Sequence, residues 1–217
     1  MNRSFASPIR FFSSDDIDGI KEAIRLALRI MASNAKSKLD ISLIDNSVKI
    51  SIDGEPMNLD FDEENQIWGY NKIFNHALNI IDEEHFGLAN NEEKLTLVQL
   101  VSEFFEVNVV DAEFCLEYKV RFENGSVTNK QTALKSSYCE DRESGNSIYW
   151  KFDPSLFLVN DLPNIDFFQR IVSDCAKKNP GMKFSICKQI PPNYAEKYSI
   201  VSHDGFKAEI DCAKLKG

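Results

Sequence analysis

The sequence predicts an α+β fold: a two-layer sandwich with a mixed, mostly antiparallel sheet and its helices on one face. Three observations carry this. Stretches of helical and of strand periodicity fall in separate blocks, with no steady β-α-β alternation. Hairpin signals recur, the strongest at Asn124-Gly125. Of the 217 residues, 43% are hydrophobic, enough for one sizeable core. No internal repeat, low-complexity tract or Pro/Gly/Ser linker divides the chain. It therefore reads as a single domain over 1–217, with 1–14 as an N-terminal arm.

Taken in order, the arm carries Pro8 and a Phe11-Phe12 pair, and Ser13-Ser14-Asp15-Asp16 offers N-caps for a first helix. Ile17, Ile20, Ile24, Leu28 and Met31 recur at helical spacing through about Ser33. Leu39 to Ile44 and Val48 to Ile52 alternate apolar and polar around Asp45-Asn46-Ser47, a hairpin of half-buried strands. Asn58 to Gln66 is acidic and reads as loop. Tyr70, Ile73, Phe74, Ala77, Leu78 and Ile81 predict a second helix, ended by Asp82 to Gly87. A third, capped by Asn90 to Glu93, would carry Leu95, Leu97, Val98, Val101, Phe104 and Phe105. From Val107 the period becomes two: Val107–Val110, Glu113–Phe122, Ser126–Asn129 and Ser147–Phe152 read as a meander. A helix over Ile165 to Lys177 ends at Asn179-Pro180-Gly181. The strand Lys183 to Lys188 follows, then a last hairpin of Tyr198–Val201 and Lys207–Cys212.

Composition narrows the function. A net charge of -9 and a pI near 4.9 argue against a nucleic-acid coat, and no direct DNA binding is expected. Five cysteines without C-x-x-C spacing disfavour a zinc site and a complete disulfide framework. Cys115 and Cys187 fall in apolar strand patterns, where a reduced thiol behaves as a small hydrophobe. No base is marked beside any thiol among His76, His85 and His203. No signal sequence follows Met1-Asn2-Arg3-Ser4, and no apolar run is long enough to cross a membrane, so a soluble cytoplasmic protein is expected.

Six stretches then line up, in order and at matching spacing, with one family. Gly145 to Phe157 (G-N-S-I-Y-W-K-F-D-P-S-L-F) resembles T-G-T-x-V-x-F-x-P-D-P-x-x-F. Lys178 to Phe184 resembles L-N-P-G-V-K-I, and Val101 to Val107 resembles A-L-S-x-x-L-x-V. Lys119 to Thr128 matches a strand-turn-strand ending in G-x-P-V; Asp45 to Val48 reads D-N-S-V; Pro8 to Ser14 has the shape of the P-G-M-Y-I-G arm. The chain thus resembles, from about residue 8 to 211, the N-terminal ATPase domain of the gyrase B and topoisomerase IV B subunits, of the GHKL (Bergerat) fold.

The resemblance implies four functional items. One is E-x-x-x-N on a helix, the Glu activating water and the Asn holding magnesium. Glu22 stands at the Glu, but Leu26 takes the Asn position and has no oxygen for a hard cation; a shift by one gives Lys21 and Arg25. The residue itself reads first as a solvated helix residue, the catalytic role being what the resemblance alone would give it. The second is an Asp that accepts from the adenine amino group before D-G. Ile52 falls at that Asp, and Asp53-Gly54 at the two following positions. Asp53 takes the role only by a slip that turns its side chain to the other face, and otherwise makes an ordinary turn. The third is the glycine-rich lid G-G-L-H-G-V-G, which wraps phosphates; Ala89-Asn90-Asn91-Glu92-Glu93-Lys94-Leu95 replaces it without a glycine. The fourth is the second Thr of T-G-T, which backs the adenine; Asn146 takes its place after Gly145.

Two functions from different classes follow. One is a degenerate GHKL domain that has lost ATP hydrolysis and works as a binding or regulatory module, with no cofactor. Its partner would be a protein, with a gyrase or topoisomerase subunit among the candidates, or a second copy met through the arm. The resemblance would continue beyond Gly217 into a transducer and a DNA-cleavage region, and neither is expected here. The other is a diverged ATP-binding domain of a type II topoisomerase-like protein, with Glu22 catalytic, Asp53, Gly54 and Asn146 binding nucleotide, and ATP and magnesium as cofactors. A third, weaker reading gives the site to a different small ligand, Ile52 and Leu26 making it more apolar.

Overall fold

The computed structural model describes Phe12 and residues 14–59, 61–64, 66–75, 94–124, 126–131, 143–159, 161–190, 194–203 and 207–216, with side chains described up to 188 except at 61, 67, 68, 72, 75, 130 and 131. The strands are β1 (Lys38–Ile44), β2 (Ser47–Asp53), β3 (Phe61–Asp62), β4 (Ile67–Trp68), β5 (Ser102–Asp111), β6 (Leu116–Glu123), β7 (Ser126–Gln131), β8 (Gly145–Phe152), β9 (Lys183–Ile190), β10 (Tyr194–His203) and β11 (Lys207–Lys216). The helices are α1 (Ile17–Asn34), α2 (Leu95–Leu100) and α3 (Ile165–Lys178), with a π-helical turn at Asn71–Asn75. Nine strands form one sheet in the order β11-β10-β9-β1-β2-β8-β5-β6-β7, and β3 pairs with β4. β1 and β9 run parallel; every other pair is antiparallel.

Alternation decides which face is covered. Leu39, Ile41 and Leu43 of β1 stand opposite Ile52, Ile50 and Val48 of β2, and all six are buried. The row continues through Ile148 and Trp150 of β8, Phe105 and Val107 of β5, and Val120 and Phe122 of β6. On the other side, Phe184 and Ile186 of β9 stand beside Leu39 and Ile41. α1 packs on β2, α2 on β5 and α3 on β9. Each large side chain sealed in this layer contributes roughly 1.5–3 kcal/mol. The opposite face is half-exposed, with Lys119 and Arg121 paired to Glu106 and Lys151 to Glu103.

Helix ends follow local chemistry. Asp16 caps α1 by accepting from the Asp18 N–H at 2.8 Å and from the Ser14 hydroxyl. Asn164 caps α3 through the Phe167 N–H, and Lys177 and Lys178 sit in its last turn, favourable to the helix dipole. Gly181, at φ 87°, turns the chain into β9.

Several boundaries differ from the sequence reading. α2 ends at Leu100, where the Ser102 hydroxyl donates to the Val98 carbonyl, and Phe104 and Phe105 belong to β5. The spacing 101, 104, 105 suited a helix, but ladder pairing with β6 and β8 wins: Phe105 points into the core and Phe104 lies against Tyr149 on the outer face. The acidic loop carries the short β3, which pairs with β4 just beyond it. Cys115 sits half-buried in the turn before β6 at φ 52°, not in a strand. Of the predicted second helix, Gly69 and Tyr70 are helical and Asn71–Asn75 form the π turn; the residues from 76, and the Asn90 to Glu93 cap, lie outside the described residues. Asn124, between β6 and β7, has φ 49°, in the left-handed region that asparagine tolerates.

Candidate functional site

The candidate residues lie at the junction of β2 and β8, where the C-terminal end of α1 meets the sheet. Asp53 pairs with Gly145 and Ile52 with Asn146. Both glycines are dictated by close approach. A Cβ on Gly145 would stand 2.2 Å from the Ile52 carbonyl oxygen; one on Gly54, at φ 141°, would stand 2.5 Å from that of Asn34. The two turns can therefore close only without side chains.

Pleat alternation separates Ile52 from Asp53. Ile52 faces the buried layer, 6% exposed, while the half-buried Asp53 turns to the start of β1. There its Oδ1 accepts from the Ser37 and Lys38 N–H groups at 2.9 and 2.7 Å, and its Oδ2 from the Ser37 hydroxyl at 2.5 Å. Its carbonyl accepts from the Lys36 N–H at 3.0 Å. Burial pushes the Asp53 pKa up, but these bonds outweigh it and hold the carboxyl below its ordinary range. Asp53 thus locks the α1–β1 connection to the end of β2.

Asn146 is 3% exposed. Its Oδ1 accepts from the Met57 N–H at 2.7 Å, and its Nδ2 donates to the Glu55 carbonyl at 2.7 Å. The segment after Gly54 is thereby tied over the start of β8, with Met57 and Leu59 buried at 4% and 2% exposure. Sequence reasoning missed Ser37 and Met57. The apolar alternation Met57-x-Leu59 beyond Pro56 was the available signal.

Glu22 and Leu26 lie one turn apart on α1, both half-buried, Leu26 against the core. Glu22 precedes Asn34 by about 18 Å of helix rise. The structure thus brings Asp53, Gly54 and Asn146 together and sets Glu22 well along α1 from them. Of the lid segment, Ala89 to Glu93 lie outside the described residues, and Lys94 and Leu95 begin α2 without a side-chain cap. Among the described residues no group of three His, Cys, Asp or Glu is placed to hold a metal ion, and none of the helices is long and apolar enough to cross a membrane.

No family model matches the chain, and no curated protein does. The fold has a clear likeness. The crystal structure of the 43K ATPase domain of Thermus thermophilus gyrase B, in complex with an aminocoumarin, superposes with a TM-score of 0.75 at 15% identity. The alignment covers 91% of this chain and 50% of that one, so the chain spans half the length of its structural neighbour. The fold is GHKL-like. At this identity the likeness concerns architecture, and the site has to be read from its own side chains.

Proposed function

We propose that the chain is a gyrase B-like GHKL domain that has lost ATP hydrolysis and serves as a binding or regulatory module without a cofactor. The observation that carries this reading is the internal engagement of the site's polar atoms. The Asp53 carboxylate is held by Ser37 and Lys38, and the Asn146 amide by Glu55 and Met57. For Asp53 to read an adenine it would have to release three donors and cross the strand to the face that Ile52 occupies. Leu26, where magnesium would need an oxygen, points the same way. The module's partner would be a protein, a gyrase or topoisomerase subunit among the candidates, or a second copy engaged through residues 1–14.

Titration calorimetry with ATP and magnesium tests the reading, with no heat and no thermal shift at millimolar nucleotide as the expected result. The competing reading, a diverged ATP-binding domain of a topoisomerase-like protein using Glu22, predicts turnover by pure protein. Hydrolysis abolished by Glu22→Ala would overturn our proposal.

A further inference from the structure

Unpaired positive charge gathers on one part of this acidic molecule. Arg25, Arg29, Lys36, Lys178 and Lys183 are all exposed, and none has an ion-pair partner among the described residues. The fold brings them together. Arg25 lies over the Phe167 ring of α3, 5.1 Å from its centroid. Arg29 follows Arg25 one turn on along α1, Lys178 follows Cys175 by three residues on α3, and the two helices pack against each other. The Lys183 N–H donates to the Ser37 carbonyl at 2.8 Å, so Lys183 lies beside the loop that carries Lys36. Among the described residues, three carboxylates of the neighbouring segments are already engaged: Asp174 with Lys177, Asp40 with Lys38 and Ser185, and Asp53 with Ser37 and Lys38.

Lys178 alone would be accounted for by the dipole of α3, whose last turn it occupies. Arg25 and Arg29 in the body of α1, and Lys183 on a strand, have no such explanation. Between the cations, Ile171 and Cys175, one turn apart on α3, present half-buried apolar surface. A cationic rim over an apolar floor suits a ligand that carries both carboxylates and apolar groups.

We infer that the α1–α3 seam is a docking surface for an acidic segment of a partner protein, its carboxylates seated on Arg25, Arg29 and Lys178 and its apolar side chains over Ile171 and Cys175. Charge distribution favours a protein segment over nucleic acid. The chain carries -9 overall, so the seam is a positive island. Screening confines its field to roughly 8 Å at physiological salt. A duplex with one charge per about 1.7 Å would run past the island onto acidic surface; a short segment ends within it. The inference goes beyond the loss of ATP hydrolysis and stands or falls apart from the nucleotide calorimetry.

Fluorescence anisotropy with a labelled peptide of alternating Glu and Leu tests it on the full chain. Binding is expected at about 0.05 M salt and at least tenfold weaker at about 0.5 M. Arg29→Glu with Lys178→Glu should abolish it. Lys119→Glu with Lys151→Glu, on the opposite sheet face, should leave it within about twofold. Thermal melts check that both variants remain folded. The inference is overturned by no binding of the peptide, by equal loss in the two variants, or by preferential binding of single-stranded DNA of equal charge.

Discussion

Asn146 holds Met57 by a buried hydrogen bond of 2.7 Å, while the other end of its amide donates to Glu55 two residues before. One side chain from the middle of the sheet thus fixes the path of the chain leaving β2. Asn146→Ala would leave the buried Met57 N–H unpaired and give the part-buried Glu55 carbonyl up to water, and should cost about 1–3 kcal/mol of stability. Asn146→Asp, which sets an acceptor against the Glu55 carbonyl, should cost more at neutral pH and recover in part as the carboxyl protonates. Urea denaturation of the three proteins at two pH values checks both statements; Asn146→Ala unfolding like wild type would mean that the clamp is dispensable.

Asp53 predicts a pH dependence. Its carboxyl is held below the ordinary range in the folded chain, so the stability it adds is present above the unfolded value, about 3.9, and is lost as pH falls through the lower folded value. Asp53→Asn keeps one acceptor oxygen and loses the charge. It should lower stability at neutral pH by roughly 1–2 kcal/mol, the group being partly exposed, and flatten the decline below about pH 4. Melts from neutral pH downward decide it: a variant parallel to wild type throughout would remove the carboxylate from the account.

Much of the fold was legible because each strand states its buried face by alternation and each helix by a run such as Ile20, Ile24, Leu28 and Met31. The end of α2 was not, since Phe104 and Phe105 fit a helical stripe locally and only pairing with β6 and β8, far along the chain, makes them strand. At the site, the displacement of Asp53 from the buried face was readable from its place next to Ile52. Its bonds to Ser37 and Lys38, and those of Asn146 across 89 and 91 residues to Met57 and Glu55, were not. No local pattern encodes a contact that only the register of β2 on β8 creates.

Gly54 should tolerate nothing larger. At φ 141°, with the Asn34 carbonyl 2.5 Å from any Cβ, Gly54→Ala meets backbone strain and a backbone clash together. We expect a loss of roughly 2–4 kcal/mol, against the slight gain that Gly→Ala gives at an unstrained position. Gly181→Ala, whose Cβ would meet nothing within 4 Å although its φ is 87°, is the control and should lose less. Thermal melts of the two variants separate crowding from conformational strain; equal losses would assign the whole effect to φ.

Gln99 of α2 is 1% exposed, and neither its amide nitrogen nor its oxygen has a partner among the described residues. Three residues earlier on the same helix, Thr96 shows the contrast, its buried hydroxyl donating to the Ile73 carbonyl of the π turn at 2.7 Å. A buried amide without partners costs about 1–3 kcal/mol relative to an apolar side chain of the same shape. Gln99→Met keeps length and volume and removes both polar atoms, so it should raise stability by about 1 kcal/mol or more, whereas Thr96→Val should lower it by a similar amount. Chemical denaturation of the two variants reads the signs directly. A Gln99→Met protein less stable than wild type would show that the amide is bonded in solution, to an ordered water or to another part of the chain.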